Sequence, residues 1–126
     1  MNKIILFFLV LIFIRAMDFI FLNLLMKGFY DKQLASFPRT LRLWSGLIAW
    51  ALIALGTVIL VVPRAQALPS ALIYGALFGI VLYGVYDFSN YAILKNYTLA
   101  MTLVDWAWGI FLCTLTSVFA FFIKML

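Results

Sequence analysis

The stretch GALFGIVLYGVYDFSNYAILKNYTLAMTLVDWAWG, Gly75 to Gly109, decides the fold. It is apolar on both sides of a short polar turn, Lys95-Asn96-Tyr97, and has no strand-like alternation. Backbone groups in lipid must find their partners within the segment, so the two runs read as membrane helices joined in a tight antiparallel hairpin. Asp87 lies nine residues before Asn96 and Asp105 nine residues after it. At about 1.5 Å of rise per residue, both carboxyls sit roughly 13 Å in from the turn, at one depth on neighbouring helices.

Outward from this hairpin, four runs reach the roughly 20 residues a bilayer requires: 4–26, 43–62, 69–94 and 99–123. The expected architecture is an all-α, four-helix transmembrane bundle, a single domain over residues 1–126. Pro63 ends the second run, and Pro69 fits the opening turn of the third. The longest connection, Lys27–Arg42 (KGFYDKQLASFPRTLR), reads as a basic loop. Met1–Leu22 starts like a secretory signal, but Arg15 and Asp18 interrupt it and no A-x-A site follows; it is read as an uncleaved first span.

Composition agrees. The chain is 68% hydrophobic with 10% charged residues, against about 25% charged in soluble proteins. It has no histidine, no glutamate and one cysteine, which excludes zinc sites, Cys–His nucleophiles, haem attachment and disulfide frameworks. Cys113 reads as a small buried hydrophobe. The net charge of +5 lies mostly outside the apolar runs and forms no clustered basic face, so it suits lipid headgroups and not nucleic acid. Lys3, Arg64 and Lys124 flank one side, and Lys27, Lys32, Arg39, Arg42 and Lys95 the other. This bias places the two loops inside and both termini outside.

Three of the four acids, Asp18, Asp87 and Asp105, fall inside the apolar runs. A charged side chain at membrane depth costs about 2.5–3.5 kcal/mol on insertion scales and faces protein or water, not lipid. Asp18 lies nine residues before Lys27, which puts it in the same layer as the other two. Arg15, three residues earlier, is expected to form a charge pair with it. Tyr83 and Asn90 share a helix face with Asp87, while Trp108 and Gly109 follow Asp105 by one turn. Gly75, Gly79 and Tyr83 continue the four-residue row of Asp87, a GxxxG pattern that lets helices approach closely. Trp44 and Tyr97 read as interfacial anchors, and Trp50 as a core or lipid-facing residue. With all three aspartates ionised, Arg15 offsets only one; the remedies are a proton, a bound cation or a water-filled opening.

These residues resemble the signature of a small bacterial membrane-protein family known as domain of unknown function 2177. Its pattern is G-x-x-x-G-x-x-x-Y-x-x-Y-D-x-x-N, a short turn, then L-x-D-x-x-W-G. Gly75, Gly79, Tyr83, Tyr86, Asp87, Asn90, Leu103, Asp105, Trp108 and Gly109 supply every fixed letter. Asp18 and Tyr30 match the family's helix-1 aspartate and the tyrosine after it; Phe21 stands where a tryptophan is usual, and Ser89 where a threonine is. The resemblance implies a four-helix inner-membrane protein and no particular reaction.

Three functional classes fit. The first is binding or transport of a cation, proton or small solute. It would use Asp87 and Asp105, with Tyr83, Tyr86 and Trp108 offering aromatic faces, and a homodimer would enclose a path more readily than one chain. The second is a lipid- or partner-binding accessory protein, with basic loops drawn to anionic headgroups. The third is a membrane-embedded enzyme with paired aspartates. It is the weakest, because Tyr86-Asp87 has no accompanying G-x-G-D motif and no compact aspartate cluster suits Mg²⁺ or Mn²⁺. Neither a cofactor nor a metal site is assigned from the sequence.

Overall fold

The computed structural model describes all 126 residues, and every regular element is helical. Helix α1 (Lys3–Ile20) continues through a π-helical turn, Phe21–Leu25. The short α2 follows (Lys27–Gln33), then α3 (Leu43–Gly56), which runs on through a π-helical turn (Thr57–Val61) and a 3₁₀ turn (Val62–Arg64). Helices α4 (Leu68–Ile93) and α5 (Leu99–Ile123) complete the chain. Four helical stretches are long and apolar enough to cross a membrane, at 23, 22, 26 and 25 residues. At about 1.5 Å per residue each exceeds the roughly 30 Å hydrocarbon core.

The helix ends have local causes. Asn2 accepts from the backbone N–H of Ile4 at 2.7 Å and caps α1, and Thr98 does the same for α5 through Met101 at 3.0 Å. Ser70 exchanges bonds with the Ala67 backbone, with Pro69 in the first turn of α4. At the far end of α3, Lys124 donates to the carbonyl of Ala65 at 2.8 Å, satisfying an acceptor left free where the helix stops.

The α4–α5 hairpin expected from the opening stretch is present and is the tightest packing in the molecule. Its closeness depends on glycine. A methyl group at Gly75 would stand 2.6 Å from Ser117 Cβ and 2.9 Å from the Cys113 carbonyl oxygen; one at Gly79 would stand 2.7 Å from Ile110 Cα. Ser117 in turn donates to the Ala71 carbonyl at 2.7 Å. Helix α1 lays Leu6, Val10 and Ile14 against Ala54, Val58 and Leu112, forming the apolar core.

The connection read as a loop contains a further element. Helix α2 exposes Lys27, Asp31 and Lys32 and buries Tyr30. Lys27 and Asp31 form the one ion pair in the chain, at 2.6 Å on the open face, and it holds the Asp31 carboxyl below its ordinary range. Tyr30, Tyr97 and Met101 make a second small cluster at this end, with Phe21, Phe29 and Phe37 packed around it.

Candidate functional site

All three aspartates of the long apolar helices are buried: Asp18 is 7% exposed, Asp87 0% and Asp105 9%. They form two adjoining sites on one side of α5. Asp18 occupies the deeper one. Its Oδ2 accepts from Trp50 Nε1 at 2.8 Å and its Oδ1 from Trp108 Nε1 at 2.9 Å, so one carboxyl joins α1, α3 and α5. The Trp108 ring stacks on Phe21, with centroids 3.9 Å apart and planes within 4°. Asp18 thus draws its indole donors from other helices.

One turn nearer the hairpin lies the pair Asp87 and Asp105. Tyr97 donates its hydroxyl to Asp87 Oδ1 at 2.6 Å, and Tyr30 donates to Asp105 Oδ1 at 2.8 Å. Asp87 Oδ2 is fully buried without a hydrogen-bond partner, and the carboxyl of Asp105 stands beside Asp87. Burial pushes the Tyr30 hydroxyl above its ordinary value of 10.0, and the neighbouring Asp105 pushes it further. Burial and the bond to Asp87 do the same for Tyr97. Both phenols therefore remain donors at neutral pH.

The expected Arg15–Asp18 charge pair is not formed. Asp18 continues the buried row of Val10 and Ile14, whereas Arg15 faces outward from α1. Its guanidinium lies 4.7 Å from the centroid of the Trp50 ring and 5.7 Å from that of Phe19. A three-residue spacing permits a pair only when both side chains turn to the same neighbour, and here Asp18 turns to two indoles. Tyr97 is likewise not an interfacial anchor but a buried partner of Asp87. Trp50 lies against α1, with its N–H committed to Asp18.

The remaining candidates divide. Trp108 belongs to the Asp18 site. Tyr83 is seated in the notch left by Gly109, where a methyl group would fall 1.9 Å from its Cγ; its ring packs against the core. Asn90 lies close to Tyr97 and Tyr86, at the edge of the acid pair. Tyr86, 59% exposed, faces away from it. The main cavities include none of the three aspartates, so the arrangement is a closed polar junction and not an open pocket. No three acidic, histidine or cysteine side chains come together as a metal-binding cluster.

Tyr30, Tyr97 and Trp50 are partners of the aspartates that pattern reasoning did not place in the candidate site. Tyr30 stood out only as the tyrosine that follows the helix-1 aspartate in the resemblance, and Tyr97 only by its place one residue after the centre of the turn that brings Asp87 and Asp105 together.

Comparison with curated proteins and with solved structures gives no match. The family model described as "Predicted membrane protein (DUF2177)" matches residues 3–122. With four apolar helices and nearly the whole length matched, the chain belongs to this family of membrane proteins.

Proposed function

We propose that the protein is a membrane proton-binding module, in which Asp87 and Asp105 share one proton and exchange it with water on the loop side. The observation that carries this reading is Asp87 Oδ2, wholly buried, without a partner, and beside a second carboxyl. Two adjacent carboxylates in a low-dielectric site do not both ionise; a single proton between them turns repulsion into a hydrogen bond. Tyr97 and Tyr30 each occupy one outer oxygen, which leaves Asp87 Oδ2 to meet that proton.

A cleft beside the pair supports this reading. At the hairpin turn a surface cleft of about 680 Å³ is lined by Lys32, Gln33, Lys95, Thr98 and Tyr97, and Tyr97 reaches from it to Asp87. Two lysines at the mouth oppose any positive charge, but a proton, unlike a metal or organic cation, is relayed along water and a phenol hydroxyl and needs neither room nor ligands of its own. This favours a proton over the other cations considered. The absence of an open cavity around the pair argues against a bulkier solute.

Infrared spectroscopy of the protein reconstituted in lipid tests the reading. A protonated-carboxyl band is expected at neutral pH, shifting in D₂O and disappearing in Asp87→Asn with the helical content unchanged. A wild-type spectrum without that band, or a band that survives both Asp87→Asn and Asp105→Asn, overturns it and leaves the aspartates as packing groups.

A further inference from the structure

Arg15 is the one basic residue of the spans that does not sit at the end of one, twelve residues from Lys3 and ten from Leu25. By helical rise that is roughly 18 and 15 Å from the two ends, close to the bilayer centre. It makes no ion pair and no hydrogen bond. Its guanidinium rests on Trp50 and Phe19 and faces an open groove of about 600 Å³ between α1 and α3, in which Arg15 is the only charged residue among apolar ones. The nearest carboxylate, Asp18, is bonded to Trp50 and Trp108 and acts on Arg15 only at a distance, so the guanidinium lacks a direct partner at a depth where charged residues pair.

A second groove, of about 290 Å³, lies on the same seam nearer the N-terminus, lined by Lys3, Ile4, Phe8, Leu55 and Ile59. On α1 the lining positions 4, 8, 12, 16 and 20 form a single row, with Ala16 at the narrowest side chain beside Arg15. The two apolar grooves together cover much of the α1–α3 seam, with Arg15 near the middle and Lys3 at the N-terminal end.

We propose that this seam receives a transmembrane helix of another protein, bearing an aspartate or glutamate near its centre that pairs with Arg15. Depth selects the occupant: a lipid headgroup stays near the interface, whereas an acidic side chain on a helix can stand at any level. A second copy of this chain does not fit, because its three intramembrane carboxyls are buried and bonded or paired internally and Asp31 lies outside the spans. The acid completes bidentate bonds to the guanidinium that nothing in this chain supplies.

The test uses the full protein in lipid vesicles, labelled at its C-terminus, and leucine-rich synthetic transmembrane helices with Asp, Leu or Lys at the central position. Energy transfer should show the Asp helix binding roughly tenfold more tightly than the Leu helix. Arg15→Leu should abolish the preference, and Arg15→Glu should transfer it to the Lys helix. Ala16→Trp, which fills the groove and keeps the charge, should weaken the Asp helix as well. Equal binding of Asp and Leu helices to the wild type overturns the proposal, as does a preference that survives Arg15→Leu. An anionic lipid retained in native mass spectrometry by wild type, lost from Arg15→Leu and excluding the Asp helix, also overturns it.

Discussion

Tyr30 donates its hydroxyl to Asp105 at 2.8 Å, across 75 residues of sequence. The bond ties the short surface helix α2 to the middle of the hairpin and closes the acid pair on one side. Packing between helices in lipid gains little from the hydrophobic effect, so individual polar bonds count for more of the fold's specificity.

Tyr30→Phe removes this donor and leaves the ring in place. Thermal unfolding in mild detergent should show a loss of about 1–2 kcal/mol. Combining it with Asp105→Asn should cost less than the sum of the two, because the acceptor's need for the phenol has gone. Additive losses would mean that Tyr30 acts only through its ring.

Trp50→Phe and Trp108→Phe each remove one of the two donors of Asp18. Each change should destabilise by about 1–2 kcal/mol. Together they should cost more than the sum, since the carboxyl then has no indole partner in a buried site. Asp18→Leu in the double-Phe background should recover part of the loss. Failure of that rescue would show that ring volume, not hydrogen bonding, fixes this junction.

Gly109→Ala places a methyl group 1.9 Å from Tyr83 Cγ and must displace the ring. Gly79→Ala meets the backbone of α5 at 2.7 Å and must part the hairpin. Both should destabilise by about 1–3 kcal/mol, the usual range for overpacking, and a smaller partner at position 83 (Tyr83→Ala) should rescue only Gly109→Ala. Gly28→Ala, with nothing within 4 Å of the added methyl, is the matched control and should leave stability unchanged or slightly raised.

Alkaline pH should weaken the fold through Tyr30 and Tyr97. Both phenols are raised in the folded protein above their ordinary 10.0, so the folded state holds these protons more strongly than the unfolded chain. Their stabilisation is fully present below about pH 10 and is lost as the pH rises above it, when the unfolded chain ionises first. Chemical unfolding followed from neutral to alkaline pH should show this decline, and Tyr30→Phe with Tyr97→Phe should flatten it. An unaltered slope in the double variant would assign the decline to other groups.

The spans, the hairpin and the matched depth of Asp87 and Asp105 were all legible in the sequence. Lipid permits only self-satisfied helices here, and the fixed helical rise converts equal spacing from Asn96 into equal depth. The glycine row of Gly75 and Gly79 was legible for the same reason, since side chains four apart share a face. Tertiary structure decided which groups meet the acids. Arg15 and Asp18 are neighbours in sequence yet face different surroundings, because Asp18 lies on the buried row of α1 and Arg15 on its outer face. Tyr30, Trp50 and Tyr97 become partners only when α2, α3 and the hairpin turn close on α1 and α5. Helical periodicity sets the direction in which a side chain leaves its own helix; the packing of the other helices sets what it finds there.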